Sequence, residues 1–214
     1  MNEDILNSAH LVVAVDPGKS GAVCRMGQGK FEVRRDFKTN QDIAQAIADL
    51  SPGATHGIIE LVHAFPGQGT TSMFNFGRAS GVADAALFLS LPKGTEVIEV
   101  VPQVWQMFFR NLLDVPENIQ FDSRSIASRI APWSQPYLKR KLDHGTGDAV
   151  LLAAWLLMLP EDSDMRNRRS KFSLRSHKRA RRLRAKRKTL SSPSSPRPLS
   201  EHAICQSLCE NKLL

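Results

Sequence analysis

Five apolar residues, Leu11 to Val15, run without a break into Asp16, and Pro17-Gly18 then turns the chain. A short, continuous, valine-rich run of this kind reads as a strand covered on both faces. A carboxylate at the edge of such a strand costs desolvation energy unless a cation or hydrogen bonds offset it. Gly21-Ala22-Val23 then opens a return strand with almost no side-chain bulk, so something must approach this backbone closely. Taken alone, the stretch also fits a hairpin whose Asp merely bonds turn amides.

A second apolar run raises the same question. Gly57-Ile58-Ile59-Glu60-Leu61-Val62 is a strand with one acid inside it, and such acids are rarely buried unless paired. Between the two runs, Lys30 to Phe37 alternates as a third strand. Thr39 or Asn40 caps a helix carrying Ile43, Ile47 and Leu50 on one face, and Ser51-Pro52-Gly53 ends it. After the Glu60 strand come a loop, His63 to Gly69, and a helix from about 72 to 91. Met73, Phe76, Ala83 and Leu87 suit its buried side. Gly77-Arg78-Ala79-Ser80-Gly81 gives it a small face that another backbone or nucleic acid could approach. Glu96 to Val101 alternates as a strand. Pro102 starts a helix whose Trp105, Phe108 and Phe109 read as core, and Asp122 caps a short helix with Ile126 and Ile130. Residues 149–158 form a strongly apolar helix with Asp148 in its first turn, where the helix dipole favours a carboxylate.

Charge divides the chain. Residues 1–165 carry 14 Lys and Arg against 19 Asp and Glu, whereas residues 166–214 carry 15 against 2. Clustered positive charge of this kind marks a polyanion partner, most often nucleic acid. Past about residue 164 the sequence is basic, then Ser/Pro-rich, and reads as disordered. No run of 18 apolar residues exists, which predicts no membrane span. The acidic start of the chain is not a signal peptide, and Cys24, Cys205 and Cys209 lack zinc-site spacing. The expected setting is reduced and cytoplasmic, at the nucleoid, with no secretion.

A hairpin followed by strands joined through helices predicts an α/β chain with a mixed sheet. Its first three strands would be antiparallel and its later ones would follow helical crossovers. Asp16 and Glu60 would then stand near strand ends, and the helix bearing Asp148 could cover the same edge. Converging carboxylates need cations, and hard oxygen donors select Mg2+ or Mn2+. Two such ions can activate a water and stabilise a leaving oxygen in phosphodiester cleavage.

Four segments carry a family likeness: Val15-Asp16-Pro17-Gly18-Lys19-Ser20-Gly21; Ile59-Glu60; His63 to Gly69 with Ser72 to Arg78; and Asp143-His144-Gly145 with Asp148-Ala149. In this order they resemble the RuvC-type Holliday junction resolvases, in particular the phage-like and bacterial branch with a proline-glycine loop after the second acid. The resemblance covers roughly residues 10–158. It implies a ribonuclease-H-like mixed five-stranded sheet flanked by helices, a homodimer, and metal-dependent nicking of four-way DNA junctions in recombination and repair. It assigns the metal-ligand and catalytic roles to Asp16, Glu60 and Asp148, with two ions in the site. The family often places a further ligand three residues before the last Asp. That position is Gly145 here, so Asp143 or His144 must reach in, and Asp143 is the favoured one. Relatives often carry Lys where this chain has Gln106. Lys19, His63, Phe65, Gln68, Arg78, Lys139, Arg140 and Lys141 are the expected DNA contacts. The expected organisation is a flexible N-terminus over 1–9, a nuclease domain over 10–164 and a basic disordered tail over 165–214. Other ribonuclease-H-like nucleases, acting on branched DNA or RNA–DNA hybrids, and a cleavage-deficient junction- or nucleic-acid-binding protein are the competing readings.

Overall fold

The structure, a computed structural model, describes residues 2–61, 67 and 69–160. His63, Phe65, Gln68 and the basic tail lie outside these residues.

Five strands form one sheet in the order β3-β2-β1-β4-β5. They are β1 (Val12–Asp16), β2 (Ala22–Gly27), β3 (Lys30–Arg35), β4 (His56–Glu60) and β5 (Glu96–Val100). β1 pairs antiparallel with β2, and β2 with β3. β1 pairs parallel with β4, and β4 with β5. Among the described residues six α-helices accompany the sheet: α1 (Asn2–Leu6), α2 (Asn40–Leu50), α3 (Thr70–Ser90), α4 (Pro102–Leu112), α5 (Ser123–Ile130) and α6 (His144–Met158). This is the mixed five-stranded sheet flanked by helices that the resemblance implied.

Strand alternation explains the uninterrupted valine run. Val13 and Val15 face a core shared with α2 and α3, whereas Val12 and Ala14 face a core shared with α4, α5 and α6. β1 is central, so both of its faces are dry. α6 is buried on almost all sides, from Ala149 to Leu156, which is why its sequence shows no polar stripe.

Capping follows the local sequence. Thr39 and Asp42 form a reciprocal capping box on α2, and Asp122 accepts from the Arg124 amide at 3.2 Å to start α5. Three expectations need correction. The first residues are not loose throughout: α1 forms, and Ile5 packs into the core at 4% exposure. α6 begins at His144, so Asp148 stands one turn inside it and not in its first turn. On α3 only Ala79, Ala83 and Leu87 are buried; Met73 and Phe76 are half-buried. Among the described residues no helix is long and apolar enough to cross a membrane.

Candidate active site

The register of the parallel strands places the first two acids. Val15 pairs with Ile59, so Asp16 and Glu60 follow side by side at the carboxyl ends of β1 and β4. Period-two alternation puts Asp16 on the face of Val12 and Ala14, and Glu60 on the face of Ile58, the face that α6 covers. Asp148 comes from α6, and the three carboxyls lie close enough to act on one another.

The electrostatics follow from that placement. Burial pushes the Asp16 carboxyl well above its usual range, and the charges of Asp148 and Glu60 push it further. Burial and then Asp148 raise Glu60 to about 7, against a lowering hydrogen bond from Trp105. Burial raises Asp148 to about 6, partly offset by the Ser123 hydroxyl and the His144 charge. Among the described residues no three His, Cys, Asp or Glu side chains are drawn in around one point. Three carboxyls repelling one another at a half-buried edge have no reason to close without a cation between them. The donor set is all hard oxygen, which suits Mg2+ or Mn2+.

Glycines set the close approach. A Cβ on Gly21 would lie 2.0 Å from the Asp16 carbonyl oxygen, and one on Gly145 would lie 2.2 Å from that of Ser20 and 2.6 Å from Asp16 Oδ2. The first turn of α6 therefore sits directly against the β1–β2 turn, and what approaches the small residues after Asp16 is this helix. The same contact explains the sequence departure at Gly145, because no ligand side chain fits there. Gly147 does the same for α5: a Cβ there would meet the Ser123 carbonyl carbon at 2.8 Å.

Asp143 is not part of the carboxylate group. Its side chain is buried and accepts from the Arg140 amide at 2.7 Å and from Arg140 Nε at 2.8 Å. Arg35 Nη1, from the end of β3, stands 2.7 Å from Asp143 Oδ1. Burial alone would raise this carboxyl; the Arg140 hydrogen bonds and the two guanidinium charges hold it below its usual value instead. Arg140 is equally committed, since it also bonds Asp36 at 2.7 and 3.0 Å. The expectation of Asp143 as the favoured ligand is thus corrected: it is a clamp that ties the segment before α6 to β3. Arg140 serves the same clamp and is not a free DNA contact. Asp143→Ala leaves two cations around a buried hole, and loss of one partner of such a pair costs about 3 kcal/mol. We expect a melting temperature roughly 6–12 °C lower, at 2–4 °C per kcal/mol for a chain of this size. The exposed His144→Ala should melt like the parent; equal melting of both variants would refute the clamp.

Other residues named from sequence are placed as follows. His144 is exposed, one helical turn before Asp148 on the same face of α6. Lys19, Lys139 and Lys141 are exposed. Lys139 lines an open surface cavity of about 320 Å³ with Arg124, Ser125 and Ser128. Arg78 is exposed on α3, with its guanidinium 5.9 Å from the Phe74 ring centre.

Sequence reasoning missed three residues. Trp105 was read as core alone; it is fully buried, yet its indole N–H donates to Glu60 Oε2 at 3.2 Å. A buried indole N–H usually finds a partner, and for Trp105 it is an acid in a neighbouring strand. Ser123 Oγ lies 3.1 Å from the His144 carbonyl and within reach of Asp148, so its single proton can serve either acceptor. Arg35 holds Asp143 from more than a hundred residues away, and no local signal points to it.

A scan against protein-family models gives no match, and a search of curated proteins gives none either. Among solved structures, the chain is similar to T. thermophilus RuvC in complex with a Holliday junction substrate. The TM-score is 0.48 and the identity 12%, covering 68% of this chain and 92% of that one. Thermus thermophilus RuvC alone gives 0.44 and 17%, with the same coverage of 68% and 92%. The yeast mitochondrial Holliday junction resolvase Ydc2 gives 0.43 and 11%, covering 73% of this chain and 82% of that one.

Proposed function

We propose that this chain is a structure-selective, divalent-metal-dependent endonuclease that resolves four-way DNA junctions as a homodimer. The observation that carries the reading is the meeting of Asp16, Glu60 and Asp148 from three separate elements at one sheet edge, each raising or being raised by another. Carboxylates gathered this way weaken the fold unless they serve a cation. Asp16, Glu60 and Asp148 would hold the metal, with His144 completing the set from the adjacent turn of α6. When bound, Mg2+ or Mn2+ lowers the pKa of a water and stabilises the leaving oxygen of the phosphodiester.

The remaining residues act on the ligands and the substrate. Trp105 fixes the orientation of Glu60 through its N–H. Ser123 and His144 hold Asp148 toward its charged form. The Asp143–Arg35–Arg140 clamp sets the start of α6, and hence where Asp148 points. Lys19, Lys139 and Lys141 would take backbone phosphates around the site. The loop residues His63, Phe65 and Gln68 follow Glu60 directly in sequence, and in this reading they contact the branch point. Residues 10–164 form the catalytic unit. The basic segment past 164 adds sequence-independent affinity for phosphates.

Ion-dependent melting tests the carboxylate assignment without a cleavage readout. In the folded chain Glu60 and Asp148 keep protons up to about pH 7 and 6, while in the unfolded chain they lose them near 4.5 and 3.8. Between those limits the folded state binds more protons, so metal-free stability falls as pH rises. A divalent ion removes that penalty. Saturating Mg2+ should raise the melting temperature by about 5 °C near pH 7.5 and by much less near pH 5. A melting temperature indifferent to Mg2+ and Mn2+ at neutral pH would contradict the reading.

A further inference from the structure

The turn that leads into α6 is built inside out. Lys141–Asp143 form a single 3-10 turn that runs directly into His144. Its acid is buried at 2% exposure, while the leucine beside it is 71% exposed. Apolar burial alone would select the reverse, with Leu142 inside and Asp143 in water. The clamp enforces the observed arrangement. Arg35 and Arg140 hold the Asp143 carboxylate inside, each at 2.7 Å, and Arg140 is tied in turn to Asp36. A buried ion pair is weak evidence for stability, because desolvation offsets much of the attraction. What this one does is aim Leu142 outward. The turn beneath the leucine is fixed by the clamp and by the close contact of Gly145 with the Ser20 carbonyl.

The surroundings decide what the leucine meets. Lys139, Lys141 and His144 are exposed around it. Residues 139–145 present cations and a leucine but no exposed acid, since Asp143 is buried. Asp36, the exposed acid bonded to this segment, is paired with Arg140. An apolar side chain set between cations suits a polyanion that carries flat apolar faces, which is a nucleic acid rather than a protein surface. Leu142 also stands close to the carboxylates, six residues before Asp148. At a rise of about 1.5–2 Å per residue these span about 9–12 Å, or about three base-pair steps of roughly 3.4 Å.

We infer that Leu142 is an apolar wedge that seats against a base pair bordering the branch, within about three steps of the phosphate to be cut. Pairs bordering a four-way branch lack a continuous stack on one side. Their faces are open to an apolar cap at a lower unstacking cost than inside a duplex. Lys139 and Lys141 take the neighbouring phosphates, contacts that fix register but carry no information about branching. The leucine supplies that information. It meets the DNA already oriented, because the clamp has ordered its turn beforehand. The inference rests on branched DNA as the substrate, and it adds a residue that separates junction from duplex beside the strand to be cut.

The test measures DNA binding by the full chain carrying Asp16→Asn, in Mg2+, with junctions that hold 2-aminopurine at one position beside the branch at a time. Fluorescence should rise at one of these positions when the protein binds. Adding Leu142→Ala should abolish that rise, lower junction affinity about tenfold and leave affinity for linear duplex within about twofold. The melting curve should not move, since the side chain is mostly in water. Leu142→Phe should restore both signal and affinity, because another apolar wedge fills the same role. A Leu142→Ala chain that binds and unstacks as before would overturn the inference. Equal losses on junction and duplex, or a melting temperature lower by several degrees, would overturn it too. Cleavage by the unsubstituted chain is followed separately. Cutting of junctions with indifferent Leu142 variants removes the wedge and keeps the nuclease reading. A junction-specific Leu142 effect in a chain that never cuts does the reverse, and a chain that binds no junction overturns both.

Discussion

Asp16→Asn is expected to abolish cleavage of a four-way junction and to leave junction binding almost unchanged. The substitution keeps the shape of the side chain, so the turn at Pro17-Gly18 and the contact with Gly145 survive. It removes the carboxyl flanked by both other acids, the one whose charge must be present for any cation to sit between β1, β4 and α6. Metal ions contribute several kcal/mol to such reactions, and at 1.36 kcal/mol per factor of ten the rate should fall by at least about a thousandfold. The same variant should be more stable than the parent without metal, because one of three repelling carboxylates is gone. Near-parental cleavage, or a less stable metal-free protein, would remove Asp16 from the proposed metal site.

Truncation after Asp164 has the second large effect. The residues beyond it carry 15 Lys and Arg and 2 acids, against an acidic balance before them. Each phosphate neutralised on duplex DNA contributes a slope of about −0.9 in log affinity against log salt. If only a third of those cations engage, truncation should flatten the slope by about 4.5 units and lower affinity at moderate salt by orders of magnitude. Preference for four-way junctions over linear duplex should persist or sharpen, since phosphate contacts carry no information about branching. An unchanged slope would mean that the tail does not touch DNA. Lost junction preference would assign it a part in reading the branch.

Much of the fold was legible because strand and helix periods are strong signals. The valine run before Asp16 demanded cover on both faces, and β1 lies central with helices on each side. The caps at Thr39 and Asp122 stand where their side-chain chemistry placed them. Asp16 and Glu60 could be nominated because a carboxylate in an apolar run is costly and needs a reason, whereas Asp148, which the helix dipole alone would explain, follows from the edge its helix can cover and from the family resemblance. What stayed hidden was long-range pairing. Asp143 reads as a ligand because the resemblance asks for one at Gly145 and Asp143 is the nearest acid, yet its partners Arg35 and Arg140 turn it into a brace, and only the fold brings β3 beside it. The start of α6 was set too late for a related reason. His144 to Gly147 includes two glycines, which argue against helix locally. The close contacts with the β1–β2 turn and with α5 decide the matter. Trp105 was hidden differently: its burial was readable, but not which acid its N–H would meet.

In the proposed function this carboxylate edge cuts branched DNA. The most direct measurement incubates the full chain with a synthetic four-way junction and, in parallel, a linear duplex of the same arm sequence, in Mg2+, with Asp16→Asn as the blank. The expected result is paired nicks at symmetric positions across the junction, silence on the duplex, and no product from the blank. Equal cutting of junction and duplex, or junction cutting that persists in Asp16→Asn, would contradict it.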